Sequence, residues 1–139
     1  MKTLRIDDVE GLPVLGTLMW QPIRRPLGIT AFGINAYTAG NPGDEVVEEH
    51  TEQTHEEAYV VIRGHATFTV DSEEIDAPWG TIVFLDDPKQ QRHAIAKEAG
   101  TTVLAIGGEP GEPLVDLGSQ VALEWEPIPQ RCPAEQLLV

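Results

Sequence analysis

The chain has 139 residues, 41% of them apolar, and a formal net charge of -14 from 23 acidic and nine basic side chains. That length suits one domain, which buries roughly two-thirds of its unfolded surface without disulfide staples. The negative charge repels phosphate backbones and anionic lipid, so neither nucleic acid nor a membrane is an expected partner.

Asp7, Asp8 and Glu10 interrupt the N-terminal segment as a signal-peptide core. No apolar run reaches the roughly 18 residues of a membrane span, so a cytoplasmic location is expected. Cys132 is the single cysteine and has no partner for an internal disulfide. Between Arg131 and Pro133, it reads as a passive thiol.

Over residues 1–27, Pro13, Pro22 and Pro26 limit any helix to a few residues, and 14–20 is a candidate strand. Residues 28–37 read as a strand of β-branched and aromatic side chains bounded by glycine. In the turn AGNPGD, Gly40 and Gly43 permit positive φ and Pro42 presets its own. A strand is expected over 57–63, ended by Gly64. The next runs over His65–Val70, where Ala66, Phe68 and Val70 alternate with His65, Thr67 and Thr69. This alternation turns His65 to solvent. After a hairpin turn at 71–73 come EEIDAP, a short buried strand over 81–85, RHAIA over Arg92–Ala96, and TTVLAIGG.

Many short strands with no sustained helical period imply an all-β sandwich or barrel. Beyond Gly108 the pattern weakens among Pro110, Pro113, Pro127, Pro129 and Pro133. Residues 119–126 fit a short helix capped by Ser119 or an alternating strand equally well. The expected organisation is one domain over 1–115 with an extended arm over 116–139.

The chemistry concentrates in GDEVVEEHTEQTHEEAYVVIRG, residues 43–64, which holds His50, His55 and seven acidic residues. Imidazoles and carboxylates that run into a Val/Ile/Tyr strand suggest a polar site at the mouth of a β structure. If the strand extends back, His55 and Glu57 share one face. Tyr59, two residues beyond Glu57, shares it too. Phe32, Tyr37, Phe68, Trp79 and Phe84 are mostly core candidates.

The spacing Glu57–AYVVIR–Gly64, with His50 seven residues before Glu57, resembles the cupin superfamily in its small single-domain members. Their first motif reads Gly-x5-His-x-His-x3 or x4-Glu-x6-Gly. Here Glu52 stands at the second histidine position, and His55 lies just before Glu56 and Glu57. Gly80 fits the start of the second motif, Gly-x5-Pro-x-Gly-x2-His-x3-Asn. Asp86-Asp87-Pro88 replaces its turn. The histidine position falls on Gln91, with His93 two residues later and no asparagine following.

The resemblance implies a cupin-type antiparallel jelly-roll barrel over about residues 28–107. It also implies one divalent transition metal, Fe, Mn, Zn or Ni, which nitrogen and oxygen ligands without thiolate do not separate. The implied ligands are His50, Glu57 and His93, with Glu52 or His55 as the fourth. An enzyme of this kind would be a dioxygenase or a Lewis-acid isomerase, cyclase or decarboxylase acting on a small oxygenated molecule. Glu57 or Glu52, if not bound to metal, is the candidate base, and Tyr59 is the candidate catalytic neighbour. If Arg92 rather than His93 points inward, a cation stands where the metal would be. The alternative, which the eroded second motif favours, is a metal-free cupin that binds a small molecule or another protein. The apolar residues of 12–20, costly to expose, point to a homodimer paired through N-terminal strands.

Overall fold

The computed structural model describes residues 1–111. The arm expected over 116–139, with Cys132 and the 119–126 segment, lies outside the described residues. Ten strands follow in order: β1 (Leu12–Leu15), β2 (Leu18–Pro22), β3 (Gly33–Thr38), β4 (Glu45–His50), β5 (Glu56–Arg63), β6 (His65–Val70), β7 (Glu73–Pro78), β8 (Ile82–Leu85), β9 (Arg92–Ala96) and β10 (Thr102–Gly108). They form a six-stranded sheet, β1-β2-β3-β10-β5-β8, and a four-stranded sheet, β4-β9-β6-β7. All pairings are antiparallel. No described helix is long and apolar enough to cross a membrane.

Period-two alternation builds the core between the sheets. Ala66, Phe68 and Val70 of β6 and Ala94 and Ala96 of β9 point inward, against Tyr59 and Val61 of β5, Leu85 of β8 and Val103 of β10. The two apolar inner faces bury one another, giving the expected antiparallel jelly roll.

Gly64 joins β5 to β6 across the edge of this sandwich with a φ of 73°. A Cβ there would lie 2.7 Å from the Thr101 Cα, so both conformation and space require glycine.

Four details differ from the sequence-based expectation. Residues 14–20 are not one strand, because Gly16, at φ 59°, turns the chain back between β1 and β2. The strand expected from Gly28 begins only at Gly33. Before it, Arg24–Leu27 form one helical turn (α1), which Gly28 ends in the left-handed conformation by donating to the Arg24 and Arg25 carbonyls. β4 was not anticipated, and its pairing with β9 shifts register twice, between Glu45 and Val47 and between Val47 and His50. Finally, β8 is buried on one face only. It is a sheet edge, and Ile82 and Phe84 are exposed while Val83 and Leu85 are buried.

Asp44 ties the β1–β2 hairpin to the turn before β4. One of its oxygens accepts from the Thr17 hydroxyl at 2.6 Å, the Gly40 N–H at 2.9 Å and the Asn41 N–H at 3.2 Å. The Thr17 hydrogen bond foremost, with the two backbone donors, holds its carboxyl below the ordinary aspartate value. A pKa lowered by folding contributes stability above the unfolded value, near pH 4, and that stability is lost as pH falls through the folded value. Asp44→Asn should therefore be less stable than wild type at pH 6, with the gap closing below about pH 4. Urea denaturation at several pH values checks this. A gap independent of pH would show that the carboxylate charge is not what the turn uses.

Candidate functional site

A cavity of about 690 Å³ opens at one end of the sandwich. Its floor belongs to the six-stranded sheet, where β10 lies between β3 and β5. Ala105 pairs with Asn35 on one side and Tyr59 on the other, and Gly107 pairs with Gly33 and Glu57. The small side chains of β10 leave the space that Asn35, Tyr37, Glu57 and Tyr59 line. A Cβ on Gly107 would come within 3.0 Å of the Glu57 Cγ, so this glycine makes room for the glutamate. The other wall comes from the end of β4, where the double register shift re-aims the strand and sets His50 opposite Arg92. The loop after β4 is held by the Glu52 N–H, which donates to the Pro88 carbonyl at 2.9 Å.

His50, Glu52 and Glu57 converge here, each with one ligand-type atom within 4.8 Å of the others'. Among the described residues this is the one group of its kind. His50 Nδ1 lies 2.6 Å from the Glu48 carbonyl, which can only accept, so Nδ1 carries the proton. Nε2 is thereby turned toward Glu57 Oε2, at 3.3 Å, and Glu52 Oε1, at 3.6 Å.

Glu57 Oε2 is crowded. The Tyr59 hydroxyl donates to it at short range, and Arg92 Nη1 is 3.9 Å away. Glu57 Oε1 has no hydrogen-bond partner among the described residues. Burial first, then the hydrogen bond to Glu57 and its charge, push the Tyr59 hydroxyl far above the ordinary phenol value. Tyr59 is thus a fixed donor. Burial, with the charges of Glu57 and Glu48, also raises Tyr37.

The chain matches no family model and no curated protein. Its shape does match solved structures. A sugar phosphate isomerase from a cupin superfamily of Silicibacter pomeroyi aligns with a TM-score of 0.66 at 18% identity, over 78% of this chain and 76% of that one. A cupin protein of Bacteroides fragilis aligns at 0.60 and 19% identity, over 85% and 92%. A protein described as a predicted oxalate decarboxylase of Thermotoga maritima aligns at 0.58 and 15% identity, over 76% and 96%.

The fold is that of a small cupin.

Within this cupin-type fold, the residues expected in the site divide clearly. His50, Glu52, Glu57 and Tyr59 come together. His55 stays at the cavity rim, half exposed, with Nδ1 3.7 Å from Glu52 and Nε2 3.9 Å from Glu109. His93, expected among the ligands, does not join the group. The inward residues of β9 are Arg92, Ala94 and Ala96, which leaves His93 on the outer face, 3.4 Å from Glu45. Arg92 takes the interior position instead and is fully buried. Its Nη2 donates to the Pro88 carbonyl at 3.1 Å, while Nε and Nη1 have no hydrogen-bond partner among the described residues. His65 faces outward as expected, 2.6 Å from Asp76.

Sequence reasoning missed Arg24, Asn35, Glu48 and Glu109 as cavity-lining residues. Glu48 had a signal, since it lies two residues before His50 on the same strand. Asn35 likewise alternates with Tyr37. Arg24 and Glu109 reach the cavity only through tertiary packing.

The donor set suits a divalent ion. The His50 imidazole, with one proton committed at Nδ1, turns Nε2 toward two carboxylate oxygens. That approach is repulsive unless a proton or a metal ion lies between them. One nitrogen and two carboxylates are ligands that Fe, Mn, Zn and Ni all accept.

Tyr59→Phe removes the hydroxyl that caps Glu57 Oε2. Hydrogen bonds to charged groups contribute about 1.5–3 kcal/mol, and a loss of that order in urea denaturation is expected. An unchanged stability would show that the phenol does not hold the carboxylate.

Proposed function

We propose that this cupin holds one divalent transition metal on His50, Glu52 and Glu57 and binds a small oxygenated organic molecule in the adjoining cavity. The observation that carries this reading is the committed Nδ1–H of His50, which leaves Nε2 aimed at two carboxylates. A bound ion would supply Lewis acidity to a carbonyl or hydroxyl oxygen of the ligand, as isomerisation, cyclisation or decarboxylation requires. The chain's own residues supply the rest. Tyr59 stays protonated and pins Glu57 Oε2. Glu52 carries neither phenol nor guanidinium contact, so an oxygen of its carboxylate that the ion does not engage is the group able to take a proton from the substrate. The cavity walls orient the molecule. The similarity to a sugar phosphate isomerase and to a predicted oxalate decarboxylase supports a reaction of this general kind.

Elemental analysis of protein purified without chelator tests the metal. One transition ion per chain is expected, lost in His50→Ala and in Glu57→Gln. Adding the same ion to stripped protein at 100 times its Kd should stabilise the fold by about 2.7 kcal/mol. An empty protein whose melting temperature none of Fe, Mn, Zn or Ni raises would sink the reading.

A second reading is a metal-free binding module, and Arg92 favours it. Its guanidinium places a permanent positive charge 3.9 Å from Glu57, which is part of what a metal would supply. The same elemental analysis separates the two.

We further infer a homodimer formed through β1. This strand is a sheet edge with unpaired backbone groups on one side, and Leu12, Val14 and Leu15 are each about half exposed on it. Light scattering at micromolar concentration should give twice the 15.2 kDa chain mass. A monomeric mass would rule the dimer out.

A further inference from the structure

Among the described residues Arg92 is the largest of the fully buried side chains, and its Nε and Nη1 have no hydrogen-bond partner there. A guanidinium does not lose its proton in a protein, so this is a permanent interior charge. Among the described residues the only carboxylate within 4.0 Å of it is Glu57. It lies directly opposite His50 in the β4–β9 register, so the two face one centre from adjacent strands. Gln91, the preceding residue, is exposed, and His93, the following one, points outward. At this level of β9, Arg92 alone reaches the interior.

We propose that Arg92 is a positioning residue that occupies the place of a further metal ligand and weakens the hold of the His50–Glu52–Glu57 group on a divalent ion. The inference rests on the metal reading of that group. Its physical content is competition for one oxygen. Glu57 Oε2 faces Tyr59, His50 and Arg92 together, so its negative charge is already partly neutralised before an ion arrives. A divalent ion beside Oε2 must also meet the repulsion of the guanidinium in surroundings that screen it poorly.

Three substitutions separate charge from shape. Arg92→Met keeps the length and removes the charge, and because it leaves Glu57 without its cation the melts decide whether this variant is folded. Arg92→His removes the charge and adds an imidazole donor. Arg92→Lys keeps the charge. Calorimetric titration with Zn²⁺ and Mn²⁺ of each chelator-stripped protein is the measurement, with thermal melts to confirm folding. Arg92→Met is expected to bind about tenfold tighter than wild type, Arg92→His tighter still, and Arg92→Lys within about threefold of wild type. If Arg92 only supports the structure, Met and His weaken binding instead, and that result overturns the proposal.

The outcomes also separate this inference from the metal reading. A wild-type protein that binds no ion, beside an Arg92→His variant that does, removes the proposed function and upholds the role of Arg92. A wild-type protein that binds as tightly as Met and His variants upholds the proposed function and removes this inference. Folded variants none of which binds remove both. A further measurement needs no substitution. Mn²⁺ bound to the wild-type protein should broaden the Arg92 Nε–Hε resonance, and a sharp signal at saturating Mn²⁺ overturns the proposal.

Discussion

One carboxylate oxygen, Oε2 of Glu57, is shared by a phenol, an imidazole and a guanidinium at the mouth of an apolar sandwich. A carboxylate withdrawn from most of its water is stabilised by partners close at hand. Each of the three partners comes from a different place along the chain, so the match forms only when β4, β5 and β9 are all in register. The apolar core on the far side of Tyr59, where its ring meets Phe68 at 5.8 Å between centroids, holds the phenol in position. The site and the core therefore share a wall, and the packing that stabilises one orients the other.

Small residues are as important to the site as charged ones. Ala105 and Gly107 on β10 lie between Glu57 and Tyr59 on one flank and Gly33 and Asn35 on the other. Larger side chains there would fill the cavity and push Glu57 aside. The central strand of the sheet thus provides volume, its neighbours provide chemistry, and the opposite sheet provides the imidazole.

The sequence carried the fold and half of the site. The interval from Glu57 to Gly64 was legible because a run of β-branched and aromatic residues stops at a glycine, and the structure shows that only glycine fits there, against Thr101. The alternation of Ala66, Phe68 and Val70 was equally plain. β4 was hidden, because its two valines are adjacent among acids and show no alternation. Its register shifts are a pairing property that appears only once β9 lies alongside. The choice between Arg92 and His93 was closed to sequence for a related reason. Neighbouring residues on a strand face opposite sides, so one residue of uncertainty in the loop before β9 exchanges interior for exterior. The apolar residues of β9 argued for an inward face but did not say which of its first two residues shared it.

The Pro88 carbonyl accepts from both the Glu52 N–H and the Arg92 Nη2. A backbone oxygen outside the site thereby grips the loop that carries a carboxylate and the side chain that carries the opposing cation. Any rearrangement of the loop before β9 shifts both together, with opposite electrostatic consequences at the centre. That loop is exposed and polar, the part of a β protein that changes length most easily over evolutionary time. Drift in a surface loop can thus retune an interior charge balance while every group in the centre keeps its identity.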